Sequence, residues 1–134
     1  MMPTPRLQID LRKIAHNAQT LVDRLRRFGI RVTGVTKVAL GSPDIARTLL
    51  NAGVEDIGDS RIENIEAMRQ AGVPAQMALI RSPMLSQAKR VVMSADTSFN
   101  TEIATIRRLS HEACGLDRTH AIVLMVELGD LREG

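Results

Sequence analysis

The chain contains no tryptophan and no tyrosine, and phenylalanine occurs only twice. Proteins that hold single-stranded nucleic acid stack its bases on aromatic rings, so this chain has almost nothing to hold one with. Its net charge of +3 and pI of about 9.7 still invite that reading. However, the basic pairs Arg26–Arg27, Lys89–Arg90 and Arg107–Arg108 fall in different helix-like stretches, and no helix-turn-helix or zinc-finger spacing is present. Nucleic acid is not an expected partner. Cys114 is the only cysteine, which rules out an internal disulfide and suits a reducing compartment. Lying in "HEACG" at a helix end, it reads as structural and not as a reactive thiol. No apolar run approaches a membrane span, and "MMPTPRLQID" lacks the apolar centre of a secretion signal. A cytoplasmic location without a membrane partner is expected. His16, His111 and His120 are dispersed without metal-ligand spacing, so no metal is expected.

What is present is regular punctuation in a composition ordinary for one globular domain, 44% hydrophobic and 25% charged. Asp10 is placed to cap a helix in which Ile14, Ala18, Leu21, Leu25 and Phe28 recur at helical spacing, with Gly29 as the stop. "RVTGVT" (31–36) is rich in β-branched residues and predicts a strand. Ser42-Pro43-Asp44 predicts a helix start, with proline at the first helical position and an acid in the first turn. "GVEDIG" (53–58), "AQMALI" (75–80), "ADTSF" (95–99) and "HAIVLMVEL" (120–128) predict four more strands. Between them, Ser60-Arg61-Ile62-Glu63 reads as a capping box, Ser82-Pro83 as another helix start, and Thr101 to Gly115 as a further helix. The helix exits "NAGV" (51–54) and "QAGV" (70–73) rhyme.

Strands alternating with helices imply parallel βα units. A doubly wound open sheet usually carries G-x-G-x-x-G after its first strand, and none is found here. A (β/α)8 barrel needs eight units and roughly 250 residues. The expected fold is therefore α/β, the N-terminal five βα units of a TIM-like barrel. It is truncated at "ELGDLREG", just past the fifth strand.

In such folds the active face lies at the carboxyl ends of the strands. That face collects Lys37, then Asp59, Ser60 and Arg61, then Arg81 and Ser82, then Ser98 and Asn100, then Asp130 and Arg132. Ser60, Ser82 and Asn100 also read as helix caps, and Asp59 with Arg61 as a surface ion pair. Lys37 stands out because lysine is scarce: only Lys13, Lys37 and Lys89 occur among 18 basic residues, and Lys37 alone follows a strand. Alternation puts Thr33, Val35 and Lys37 on one face. An amine carried into a barrel is either desolvated, and then a nucleophile toward aldehydes, or reaches water through its flexible stem. Spacing alone leaves both open.

"VTGVTKVALG", "GVEDIGDSRIENIEAMRQAG" and "VLMVELGDLREG" together resemble the N-terminal barrel domain of the alanine racemase family, most closely its ornithine-racemase-like branch. The resemblance runs from about residue 6 to the last residue. It implies a pyridoxal 5'-phosphate-dependent amino-acid racemase in which Lys37 holds the cofactor as an internal aldimine and serves as one catalytic base. It also implies that Arg132 contacts the cofactor's phenolic oxygen. Arg81 and Asn100, at the ends of the third and fourth strands, complete the candidate cofactor-binding set. The resemblance further implies that residues 1–10 carry a strand joining a C-terminal β domain, with residues 11–134 forming the partial barrel. The whole protein would be a homodimer in which a partner's tyrosine is the second base. Lys37 is followed here by "VALGSPD", with no tyrosine, a departure that points away from alanine as substrate. Ornithine is suggested instead, with Asp59, Asp130 or Glu127 as acids able to meet a distal amine. The alternative is a non-catalytic carrier of pyridoxal phosphate built on the same barrel.

Overall fold

Asp10 starts the first helix as its position suggests: its carboxylate accepts the backbone N–H groups of Arg12 and Lys13 at 3.0 and 3.3 Å, and α1 runs Leu11–Arg26. The structure is a computed structural model and describes residues 6–129. After α1 come β1 (Thr33–Val35), α2 (Pro43–Asn51), β2 (Asp56–Asp59), α3 (Ile62–Gln70), β3 (Gln76–Leu79), α4 (Ala88–Ser94), β4 (Thr97–Asn100), α5 (Ile103–Gly115) and β5 (Ala121–Leu124). The strands form one parallel sheet in chain order. This is the expected βα succession.

Register decides which face is buried. Gly34, Ile57 and Met77 share one row; Val35, Gly58, Ala78, Thr97 and Ala121 share the next and point to the opposite side. The first side is covered by helices, and Ile57, Met77 and Leu79 are buried there with Ile65, Met68 and Leu109. Burying each such side chain contributes about 1.5–3 kcal/mol. Gly34 lets α2 approach: a Cβ there would stand 2.9 Å from Leu49 Cδ1. The second side is the concave face of the sheet, and it stays open, with Val35 and Val123 44% and 38% exposed and Ala121 exposed beside them. A closed barrel fills that space from strands all around it; five strands leave it uncovered.

The amino ends of the strands are tied by Arg69 of α3. It donates to the carbonyls of Ser94 (2.9 Å) and Ala75 (2.8 Å) and pairs with Asp96, whose carboxylate also accepts the Met77 N–H at 2.7 Å.

Local signals hold where nothing distant competes for them. Ser42 caps α2 with Pro43 at its first position, and both rhyming exits use a left-handed glycine, Gly53 at φ +91° and Gly72 at φ +70°. Other expectations are corrected. Ser60 does not cap α3: the helix starts one residue later, with Arg61 at the N-cap position in extended conformation, and the Asp59 carboxylate takes the Arg61 N–H at 3.0 Å. Ser82-Pro83 does not open a helix. The Ser82 hydroxyl oxygen instead accepts the Thr101 N–H at 3.1 Å, and α4 begins only after a 3₁₀ turn, Leu85–Gln87. Asn100 ends β4 and caps nothing, since α5 begins after Glu102. β5 stops at Leu124, short of residue 128, because its pairing partner β4 ends opposite it at Asn100. In α1 only Val22 is buried, while Leu21 and Phe28 are 49% and 74% exposed; α2 packs against α1 and covers only part of its apolar stripe.

Candidate active site

Lys37 stands immediately past the end of β1. The last rung is the Thr36 N–H donating to the Gly58 carbonyl at 3.0 Å. The chain then turns: Thr36 takes φ −100° and ψ −1°, and Lys37–Ala39 form one 3₁₀ turn closed by Leu40 and Gly41 in left-handed conformation. Alternation therefore ends at Thr36. Thr33 and Val35 share the concave face, but Lys37 sits at the rim and is exposed. Its amine has no ion-pair or hydrogen-bond partner among the described residues.

The adjacent carboxylate is occupied elsewhere. Asp59, at the end of β2, is fully buried. Its Oδ2 accepts the Thr36 hydroxyl at 2.8 Å, and its Oδ1 accepts the Arg61 N–H and the Asn64 side-chain amide, each at 3.0 Å. It makes no surface pair with Arg61, whose guanidinium instead faces Glu63 at 3.7 Å. Buried and fully engaged, Asp59 is also not an acid that can meet a distal amine.

Arg81, past β3, is exposed and unpartnered among the described residues. Together with Ser60, Arg61 and Ser82 it lines a cavity of about 500 Å³ at the rim, and Lys37 does not form part of its wall. Ser98 and Asn100 lie on the helix-covered face of β4, both fully buried. The Asn100 amide donates to the Ser98 carbonyl and hydroxyl, each at 3.0 Å, and its Oδ1 is buried without a partner among the described residues. Asp130 and Arg132 lie outside the described residues.

Sequence reasoning missed one polar chain, His120–Ser98–Asn100. His120 Nδ1 lies 3.1 Å from the Ala95 carbonyl, which can only accept, so Nδ1 carries the proton and Nε2 accepts the Ser98 hydroxyl at 2.8 Å. Burial pushes the His120 pKa below its ordinary 6.5, against the opposing pull of the Ala95 hydrogen bond and Asp96, with Arg118 adding to the fall. The only signal in sequence was a histidine opening one strand beside polar residues two apart on its neighbour. Among the described residues no three His, Cys, Asp or Glu side chains are grouped to hold a metal, and no helix is long and apolar enough to cross a membrane.

The residues present fit pyridoxal phosphate by the chemistry of their donor set. Lys37 offers a primary amine with no counterion among the described residues, as attachment of an aldehyde requires, and Arg81 offers a guanidinium, unpaired among those residues, on the same rim, suited to an anionic group.

Five parallel strands in chain order alternating with helices define the fold class, and comparison with known proteins narrows it. The chain belongs to the alanine racemase N-terminal domain family, which it matches over residues 9–134. It is 38% identical over 133 residues to a lysine racemase of Thermotoga maritima, covering 99% of this chain and 38% of that protein. It is 34% identical over 130 residues to an ornithine racemase of Acetoanaerobium sticklandii, covering 97% and 36%. The chain thus spans little more than a third of these relatives' lengths. Among solved structures, alanine racemase from Streptomyces coelicolor A3(2) superposes with a TM-score of 0.83 at 18% identity, over 94% of this chain and 34% of that one. PipY of Synechococcus elongatus PCC7942, solved with PLP bound, superposes with a TM-score of 0.77 at 21% identity, over 87% and 56%. These structural likenesses establish the fold, part of an alanine racemase barrel.

Proposed function

We propose that the protein is a pyridoxal phosphate-dependent racemase of a basic amino acid, lysine or ornithine. The observation that carries this reading is the unpaired Lys37 amine at the carboxyl end of β1 in a chain 38% identical to a lysine racemase. When bound, the cofactor supplies the electron sink that makes the α-hydrogen of an amino acid acidic. This chain's own residues do the rest. Lys37 holds the cofactor by its amine and, when the substrate's amine takes its place, carries the α-proton on one face. Arg132 sets the charge at the cofactor's ring oxygen, since a guanidinium stays protonated throughout. Arg81 at the rim attracts the anionic groups of cofactor or substrate. Asn100, its amide fixed by Ser98, holds the end of β4 behind that rim. The acid for the opposite face comes from outside this chain, which has no tyrosine. Residues 1–10 join a second domain, and the whole protein works as a cytoplasmic homodimer.

The test is to incubate the native-length protein with pyridoxal phosphate and L-lysine, L-ornithine or L-alanine and follow the loss of optical rotation. Lysine or ornithine is expected to racemise fastest. Visible absorbance from bound cofactor with no racemisation of any of the three would favour the carrier alternative. Absence of that absorbance would overturn both readings.

A further inference from the structure

Lys37 lies in a short turn whose two ends are held by one buried carboxylate. Before it, Thr36 donates its hydroxyl to Asp59 Oδ2 at 2.8 Å. After it, Gly41 adopts φ +67° and rests on α3: a Cβ at that position would stand 2.6 Å from Asn64 Cβ and 3.0 Å from Asn64 Cα. Asn64 in turn donates its amide to Asp59 Oδ1 at 3.0 Å. The turn is closed by the Thr36 carbonyl, which accepts the Ala39 and Gly41 N–H groups at 2.8 and 3.3 Å. Asp59 is completely buried, and no cation pairs with it among the described residues. Burial of a carboxylate is costly unless its oxygens are hydrogen-bonded, and all three donors come from segments that frame Lys37.

We propose that Asp59 is the positioning residue for Lys37: its carboxylate clasps Thr36 on one side and, through Asn64, Gly41 on the other, fixing the backbone of Lys37 while leaving the amine free. This rests on the reading that Lys37 is the cofactor lysine. A nucleophile that must meet one aldehyde carbon gains from a backbone that does not wander. The clasp supplies this without any group touching Nζ. It also keeps the Asp59 charge inside the loop, away from the amine it would otherwise pair with.

The experiment uses the native-length protein and three variants. Thr36→Val keeps the side-chain shape and removes the hydroxyl. Gly41→Ala leaves Asp59 intact but forces the turn off α3. Asp59→Asn keeps an acceptor for the Arg61 and Asn64 donors but puts an N–H donor where the Thr36 hydroxyl now finds an acceptor. Amide hydrogen exchange without cofactor, and the pyridoxal phosphate concentration that gives half-maximal pyridoxyl label on Lys37 after borohydride, are both measured. Thr36→Val and Gly41→Ala are expected to speed exchange at Ala39 and Gly41 and to raise the half-labelling concentration, each roughly tenfold or more. Exchange in β3 should not change, and Asp59→Asn, which loses the same link, should follow Thr36→Val; wild-type exchange and labelling in Asp59→Asn would overturn the role of the carboxylate. Unchanged exchange at Ala39 and Gly41 in both variants would overturn the clasp. So would faster exchange with unchanged labelling, because the turn would then be dispensable to the amine. If the wild type takes no label on Lys37, the racemase reading fails instead, and the exchange data alone decide whether the clasp exists.

Discussion

At the scale of the residue, the proposed function turns on Lys37, whose amine has no partner among the described residues. Lys37 was legible in the sequence because lysine is scarce and this one follows a strand. Asp59 was legible only as a carboxylate near an arginine. Its actual partners Thr36 and Asn64 reach it through the fold, Thr36 from 23 positions away, and no local pattern announces such a pairing. The apparent ion pair Asp59–Arg61 dissolves for the same reason: the backbone of Arg61 is what Asp59 binds, and the guanidinium turns to Glu63. Lys37→Ala in the native-length protein is expected to reduce racemisation to background. Lys37→Arg is expected to do the same with the charge preserved, because a guanidinium stays protonated and cannot attach the cofactor aldehyde. Turnover of Lys37→Arg comparable to wild type, measured by optical rotation, would show that the residue acts only as a charge.

At the scale of the element, what the sequence announced was local. Asp10, Ser42-Pro43 and the glycine stops act on backbone groups within a turn of themselves, so no distant residue is needed to read them. Ser60 and Ser82 looked equally good as caps, but α3 starts one residue later with Arg61 at its N-cap, and the Ser82 hydroxyl is taken by the Thr101 N–H. Two seams between elements carry predictions. Arg69 joins α3 to the amino ends of β3 and β4, away from the functional rim. Arg69→Ala is expected to lower unfolding stability by roughly 1.5–3 kcal/mol, read from the urea midpoint, with label on Lys37 unaffected. The β4–β5 seam carries His120, whose pKa is lowered in the fold by burial from its ordinary 6.5. The unfolded chain therefore binds a proton there before the folded one does. The stabilising contribution is fully present above pH 6.5 and is lost as pH falls toward the lower folded value. Urea midpoints taken between about pH 7.5 and 5.5 should fall on acidification, and His120→Gln should flatten that fall.

At the scale of the whole molecule, five strands build one wall of a barrel. The helix-covered side is packed, while the concave side is open, with Val35 and Val123 44% and 38% exposed, and the edge strand β5 is exposed throughout. Strand order was legible from the repeated βα unit, and the open inner face follows from the same count, because five strands are too few to close a barrel of eight. An open parallel edge offers unpaired backbone groups and apolar side chains to any matching surface. Residues 1–134 purified alone are expected to associate in sedimentation experiments and to racemise lysine and ornithine at less than a tenth of the native-length rate, a barrier difference above about 1.4 kcal/mol. A monomer with activity inside that margin would mean that the rest of the barrel is dispensable. The central claim, that Lys37 is the residue that holds the cofactor, has its most direct test in borohydride reduction of the native-length protein with pyridoxal phosphate, followed by peptide mapping. The pyridoxyl group is predicted on the peptide containing Lys37; recovery on Lys13 or Lys89 with Lys37 unmodified would contradict it.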